Sequence, residues 1–172
     1  MRYNQLTTGA LAVAATTSLF GLGGAAQASE PTTTRERGVV IECSGTVHGR
    51  SVYASLYENN HYGDELQILI GDDEQVGGSR RDRDGFVDGR VVRAAMRVDG
   101  RRALIAGTAR KVGSLIPVQD QYDDAGQHIT ADGTHRRLAT DLTLTWRKRT
   151  VPLDCDTAFA YDLRVTKEST GE

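Results

Sequence analysis

The sequence lacks several features that would assign it to a functional class. Its formal net charge is -2, so nothing predicts binding to nucleic acid. No Gly-x-Ser-x-Gly nucleophile motif occurs after the N-terminal segment. The four histidines, at positions 48, 61, 128 and 135, form no metal-ligand pair at helical or short strand spacing. These absences favour a non-enzymatic protein.

The N-terminal segment is predicted to be a secretory signal peptide. A run of small, apolar residues covers positions 10–26, and Ala26-Gln27-Ala28 has the small-x-small pattern that signal peptidase cleaves. Thr16, Thr17 and several glycines interrupt the run, which makes it a poor membrane span; the alternative is an uncleaved anchor. No cysteine lies near the cleavage site, which excludes a lipoprotein. We expect residues 1–28 to be removed, no stable membrane span after cleavage, and secretion into the extracellular or cell-wall space.

A helical period is missing from the rest of the chain, and alternation of apolar and polar residues takes its place. Val39, Ile41, Cys43 and Val47 share one face of the first predicted strand, and similar segments recur up to position 165. About eight strands result, without the crossover helices of a parallel sheet. We predict an all-β antiparallel fold, with a closed barrel favoured over a two-sheet sandwich because closure removes exposed edges.

A single β domain is predicted at residues 38–167. Residues 29–37 contain no large apolar side chain and are predicted to be a disordered lead-in. Residues 168–172 are predicted to be a frayed tail. Residues 71–85 combine acidic, glycine and arginine clusters, which predicts a long exposed loop.

Two cysteines are present, one in the first and one in the last predicted strand. Exported proteins enter an oxidising space, so Cys43 and Cys155 are predicted to form one disulfide bond. Alternation places Cys155 on the same face as Phe159, Tyr161 and Leu163. We expect these side chains and the bond to lie together on the core side.

Asp82, Asp84 and Asp88 are the candidate metal ligands. They alternate around Gly85, and carboxylates on a flexible loop suit calcium. The glycine comes too early for a helix-flanked calcium loop and the distal Glu is missing. A solvated loop with compensating charges is the alternative; no cofactor other than calcium is expected.

Tyr53, Tyr57 and Tyr62 are the candidate ligand-binding residues. Tyr53 and Tyr57 take the face opposite to Val52 and Leu56, so an exposed aromatic row is predicted, of the residue type that dominates binding surfaces. The alternative is a strand buried on both faces.

The segments 57–63, 132–135 and 155–163 resemble exported actinobacterial proteins of unassigned function. This resemblance covers the mature domain, implies secretion, and implies no mechanism. We expect a monomeric, secreted β-barrel binding module for an unknown extracellular ligand or protein, with residues 71–85, residues 123–136 and the tyrosine row as contact surface. The alternatives are a secreted hydrolase with a loop-assembled site and a structural envelope protein.

Overall fold

Antiparallel strands make up the domain, as the alternating pattern predicts. The structure is a computed structural model that describes residues 30–72, 75–82 and 84–170, so the predicted signal peptide lies outside it. The strands are β1 (Thr32–Val47), β2 (Arg50–Asn59), β3 (Gly63–Ile70), β4 (Val76–Asp82), β5 (Val87–Asp88), β6 (Val91–Val98), β7 (Arg101–Lys111), β8 (Ile116–Asp124), β9 (Gln127–Trp146) and β10 (Arg149–Ser169). Within these ranges, no helix has the length and apolar character needed to cross a membrane.

The strands form one curled sheet that remains open. Its order is β4-β3-β2-β1-β10-β9-β7-β6-β5, and β8 pairs with β9 off this path. The prediction of a closed barrel is therefore wrong, and the sheet is a half-barrel with edges at β4 and β5. β5 has only two residues, and β4 carries the charged Arg80, Arg81 and Asp82. Short and charged edges are poor partners for a closing ladder.

The first and last strands are neighbours at the centre of the sheet. β1 pairs with β10 from Thr32 opposite Lys167 to Ser44 opposite Asp154. The predicted disulfide between Cys43 and Cys155 is confirmed and joins these two strands. Cys43 is buried in the main core, and Cys155 packs against it.

A bulge in β10 reverses the faces of the residues that follow it. Leu153 pairs with Leu142, and Phe159 pairs with Arg137, so β10 has one more residue than β9 between these pairs. Ala158 and Ala160 therefore continue the core face, opposite Ile41 and Val39 of β1. The expectation that Phe159, Tyr161 and Leu163 point into the main core is wrong: they are half-buried on the other face of β10, where Leu163 packs against a second, small hydrophobic cluster.

Strand structure extends into three segments predicted to be irregular. β1 begins at Thr32, β10 continues to Ser169, and β4 occupies Val76–Asp82. The predictions of a disordered lead-in at 29–37, a frayed tail at 168–172 and an uninterrupted loop at 71–85 are therefore wrong where these strands lie. The lead-in pairs with β10 through the backbone ladder and polar side chains, including a 3.0 Å hydrogen bond between the Thr33 and Thr166 hydroxyls. Alternation of apolar residues could not indicate a strand held in this way.

The main core fills the concave side of the half-barrel. Its largest fully buried residues include Trp146, Ile41, Leu56 and Ile105. The Trp146 Nε1–H donates to the Val98 carbonyl oxygen at 3.3 Å, which satisfies the polar atom of this large side chain. A second, small cluster of Ile129, Ala131 and Val165 lies where β8 to β10 extend beyond the half-barrel.

Gly107 allows β7 to approach β9 closely. Its φ is +151°, and a Cβ there would lie 2.0 Å from the Asp141 carbonyl oxygen. Any other residue would push the two strands apart. A glycine at this position therefore permits the close pairing of β7 and β9.

Candidate functional site

A cleft opens at one end of the concave side, where β1, β2, β5, β7, β9 and β10 come together. Its volume is about 760 Å³, which lies within the range of small-molecule sites. We call it the mouth cleft. Its lining divides into an apolar floor, a clamped wall and a charged rim.

The floor of the mouth cleft consists of small and branched apolar residues. These are Val39, Val87, Ala109, Leu138 and Ala160. They continue the inward face of each strand: Val39 is opposite Ala160, and Leu138 is opposite Lys111. Ala109 and Ala160 leave space that larger side chains would fill. The floor can therefore contact an apolar group.

Glu58 holds one wall of the cleft in place. It lies opposite Val39 on β2, and its Oε1 accepts hydrogen bonds from the Phe86 N–H and, at 2.6 Å, from the Val87 N–H. Asp64 Oδ2 accepts another from the Gly85 N–H at 3.0 Å. These carboxylates attach the segment before β5 to β2 and β3. They connect the two sides of the open sheet where no strand ladder does.

Asp162 forms an ion-pair cluster at the rim. Its carboxylate accepts two 2.8 Å hydrogen bonds from the Arg35 guanidinium and one of 3.1 Å from Arg37. The hydrogen bonds and charge of Arg35 lower the pKa of Asp162, and the pKa of Arg35 is raised in turn. These charges are exposed, so their contribution to stability is small. Arg37 is thus neutralised by a carboxylate within the site.

Three further cations on the rim have no such partner among the residues that the structure describes. Arg90, Arg110 and Lys111 are exposed and line the cleft. Among the described residues, no carboxylate lies within 4.0 Å of their nitrogen atoms. Asp88, two positions before Arg90, forms no ion pair with it. Within the described residues, the rim therefore carries positive charge without a paired carboxylate, in a protein of net charge -2.

Tyr161 covers Gly38, and both residues contribute to the lining of the mouth cleft. The two residues are a cross-strand pair, and the Tyr161 hydroxyl donates to the Glu58 carbonyl oxygen at 2.9 Å. A Cβ on Gly38 would lie 1.7 Å from the same oxygen. Burial, reinforced by a hydrogen bond with Tyr57, raises the pKa of Tyr161, so the hydroxyl remains a donor. This contact fixes β1, β2 and β10 at the back of the cleft.

The predicted tyrosine row lies on the convex face, away from the floor. Tyr53 is 38% exposed and donates to a Glu42 carboxylate oxygen at 3.2 Å. Tyr57 is half-buried and accepts a 2.8 Å hydrogen bond from the Asn59 amide. Tyr62 is 52% exposed and accepts a hydrogen bond from Lys167. Each hydroxyl has a protein partner, and none of the three tyrosines lines the mouth cleft.

The structure does not gather the predicted metal ligands. Asp82 is paired with Arg80 at 2.6 Å, and its other oxygen accepts from the Asp84 N–H. Asp88 lies beyond them in β5. In residues 30–72, 75–82 and 84–170, no group of three or more His, Cys, Asp or Glu residues is arranged to hold a metal ion.

One histidine and carboxylate pair bears on the hydrolase alternative. His128 Nδ1 lies 2.8 Å from Asp123 Oδ1 across the β8–β9 hairpin, and both side chains are exposed. Ser169 of β10 pairs with Gln127, the residue before His128, so alternation places its side chain on the opposite face of the sheet from the imidazole. The pair is therefore an exposed cross-strand contact with no serine directly opposite it in the ladders of the described strands.

Two charged residues on apolar strand faces indicate the mouth cleft in the sequence, whereas the tyrosine and aspartate patterns point elsewhere. Glu58 shares the inward face of Val52, Ala54 and Leu56, and Lys111 shares that of Ala109. A charged residue that continues an apolar face marks the point where a core gives way to a cleft or to solvent.

Comparison with known proteins gives no family. No family model matches the sequence, and no curated protein is similar to it. A crystal structure titled as a "putative AttH" from Nitrosomonas europaea is similar over 80% of this chain, with 10% sequence identity and a TM-score of 0.34. The match spans 52% of that protein, about half its length.

Proposed function

We propose that the protein is a secreted, non-enzymatic binding module and that its ligand occupies the mouth cleft. The observation that supports this proposal most directly is an apolar floor that the core does not fill, within a cleft of about 760 Å³. Concave, mostly apolar sites with a few placed polar groups are the usual form of small-molecule sites. The disulfide supports a location outside the cell, because such bonds persist in oxidising compartments.

A plug variant tests this proposal. Ala160 lies on the floor, so Ala160→Phe should fill the cleft, whereas Thr108→Phe adds the same ring at an exposed position one residue from the floor residue Ala109. Both variants and the wild type are screened by thermal shift against lipids, glycans and metal ions. A ligand should raise the melting temperature of the wild type and of Thr108→Phe, but not of Ala160→Phe.

Two results would count against the proposal. If every stabilising ligand acts equally on Ala160→Phe, binding occurs elsewhere, and the convex tyrosines become the next surface to vary. If no ligand shifts any of the three proteins, the cleft is not a small-molecule site. Circular dichroism of Ala160→Phe establishes that it remains folded, and Leu138→Trp provides a second plug from β9.

A further inference from the structure

The rim and floor of the mouth cleft differ sharply in chemistry. Arg90, Arg110 and Lys111 contribute positive charge with no carboxylate partner among the described residues. The two acidic residues of the lining are already engaged, Glu58 by backbone N–H groups and Asp162 by arginines. The free charge of the site is therefore positive, and it favours an anion.

The backbone places Arg90 and Lys111 directly beside the floor, and Arg110 follows the floor residue Ala109 in β7. The Ala109 N–H donates to the Arg90 carbonyl oxygen at 2.9 Å, which fixes the β5–β6 turn against β7. Lys111 is the ladder partner of Leu138, so a cation and an apolar side chain stand opposite one another. A ligand that reaches the cations has its remaining atoms over the floor.

We propose that the ligand is a small anionic amphiphile, with a carboxylate or similar head group at Arg90, Arg110 and Lys111 and an apolar body on Val39, Leu138 and Ala160. This inference rests on the proposed function and specifies its ligand. A purely apolar ligand would leave the cations unused, and a purely ionic one would leave the floor in contact with water. An amphiphile satisfies both parts of the site.

Matched ligands separate the two contributions. Decanoate carries both a charge and a chain, decanol has the same chain without the charge, and acetate has the charge without the chain. Each competes, below its micelle concentration, with the neutral fluorescent probe N-phenyl-1-naphthylamine bound to the wild-type protein. We expect decanoate to displace the probe at a concentration at least about tenfold lower than decanol, since a few favourable ion pairs supply such a factor. Acetate should not displace it.

Charge-reversal variants locate the head group. Arg110→Glu with Lys111→Glu should weaken decanoate at least about tenfold and leave decanol unchanged. Arg101→Glu with Arg102→Glu makes the same change in charge at the opposite end of β7, where both residues are exposed, and should leave decanoate binding intact. Added salt should weaken decanoate and not decanol.

The outcomes distinguish this inference from the function on which it rests. Equal binding of decanoate and decanol, abolished by Ala160→Phe, would overturn the anionic ligand while retaining a binding cleft. Equal loss of decanoate binding in both charge-reversal variants would show a general effect of charge and would also overturn it. If the probe and all three competitors fail to bind, both proposals fail.

Discussion

Removing the disulfide should destabilise the domain strongly, because the bond spans 112 residues of sequence. In the chain-entropy relation a loop of this length restricts the unfolded chain by about 16 cal/mol/K, or about 4.8 kcal/mol at 25 °C. Compactness of the unfolded chain reduces this figure. We therefore expect reduction of the bond to lower the free energy of unfolding by about 3 to 5 kcal/mol.

Urea unfolding of the oxidised and reduced wild type measures this difference without removing any side chain. The Cys43→Ala, Cys155→Ala double variant is the control, because its stability should not respond to reductant. It should be no more stable than the reduced wild type, since the buried Cys43 sulfur is also lost. The urea m value should rise on reduction as the unfolded chain expands. A difference below about 1 kcal/mol, with oxidation verified by thiol titration, would refute the entropic reasoning.

Three further predictions concern the back and the rim of the mouth cleft. Gly38→Ala should lower the free energy of unfolding by about 1 to 3 kcal/mol, because its Cβ overlaps with the Glu58 carbonyl. In the control Gly49→Ala the Cβ meets open space, so this variant should lose only about 1 kcal/mol through backbone strain. Equal free energies of unfolding for the two variants in urea would contradict the close approach at Gly38. Tyr161→Phe removes the hydrogen bonds of the hydroxyl with the Glu58 carbonyl and with Tyr57 and should cost about 1 to 3 kcal/mol by the same measurement, while no loss would mean that water replaces these bonds. The pKa of Asp162 is lowered in the folded state, so its contribution to stability is present above the ordinary carboxyl pKa and disappears as pH falls below about 4. Asp162→Asn should therefore make the free energy of unfolding less dependent on pH between pH 5 and 2. An unchanged pH profile would contradict the lowered pKa of Asp162.

The alternation of apolar and polar residues predicts features that residues close in sequence determine, such as the buried face of a strand. It does not predict features that depend on pairing between distant strands. Ile41, Cys43 and Val47 are buried as expected, and the disulfide follows from two cysteines on core-facing strands. Alternation assigns Phe159 to the wrong face, because a bulge adds one residue to β10 and reverses the faces of the residues after it. An alternating sequence pattern does not reveal such a bulge. Thr33 lies in a strand through pairing with a segment more than 130 residues away.

The mouth cleft was missed for a related reason. Its floor combines Val39, Ala109 and Ala160, which are far apart in sequence, and alanines give no individual signal for a cavity. Glu58 was detectable, since its carboxylate continues an apolar face of β2. Its role could not be predicted from the sequence, because it accepts hydrogen bonds from the Phe86 and Val87 N–H groups, which lie on the other side of the open sheet.

Both proposals depend on ligand binding in the mouth cleft. The most direct measurement is an NMR titration of the isotope-labelled protein with decanoate, followed through the backbone amide signals. The perturbed amides should cluster at Val39, Val87, Ala109, Leu138 and Ala160, and the perturbations should be absent in Ala160→Phe. No perturbation, or perturbation centred on the tyrosine row of Tyr53, Tyr57 and Tyr62, would contradict it.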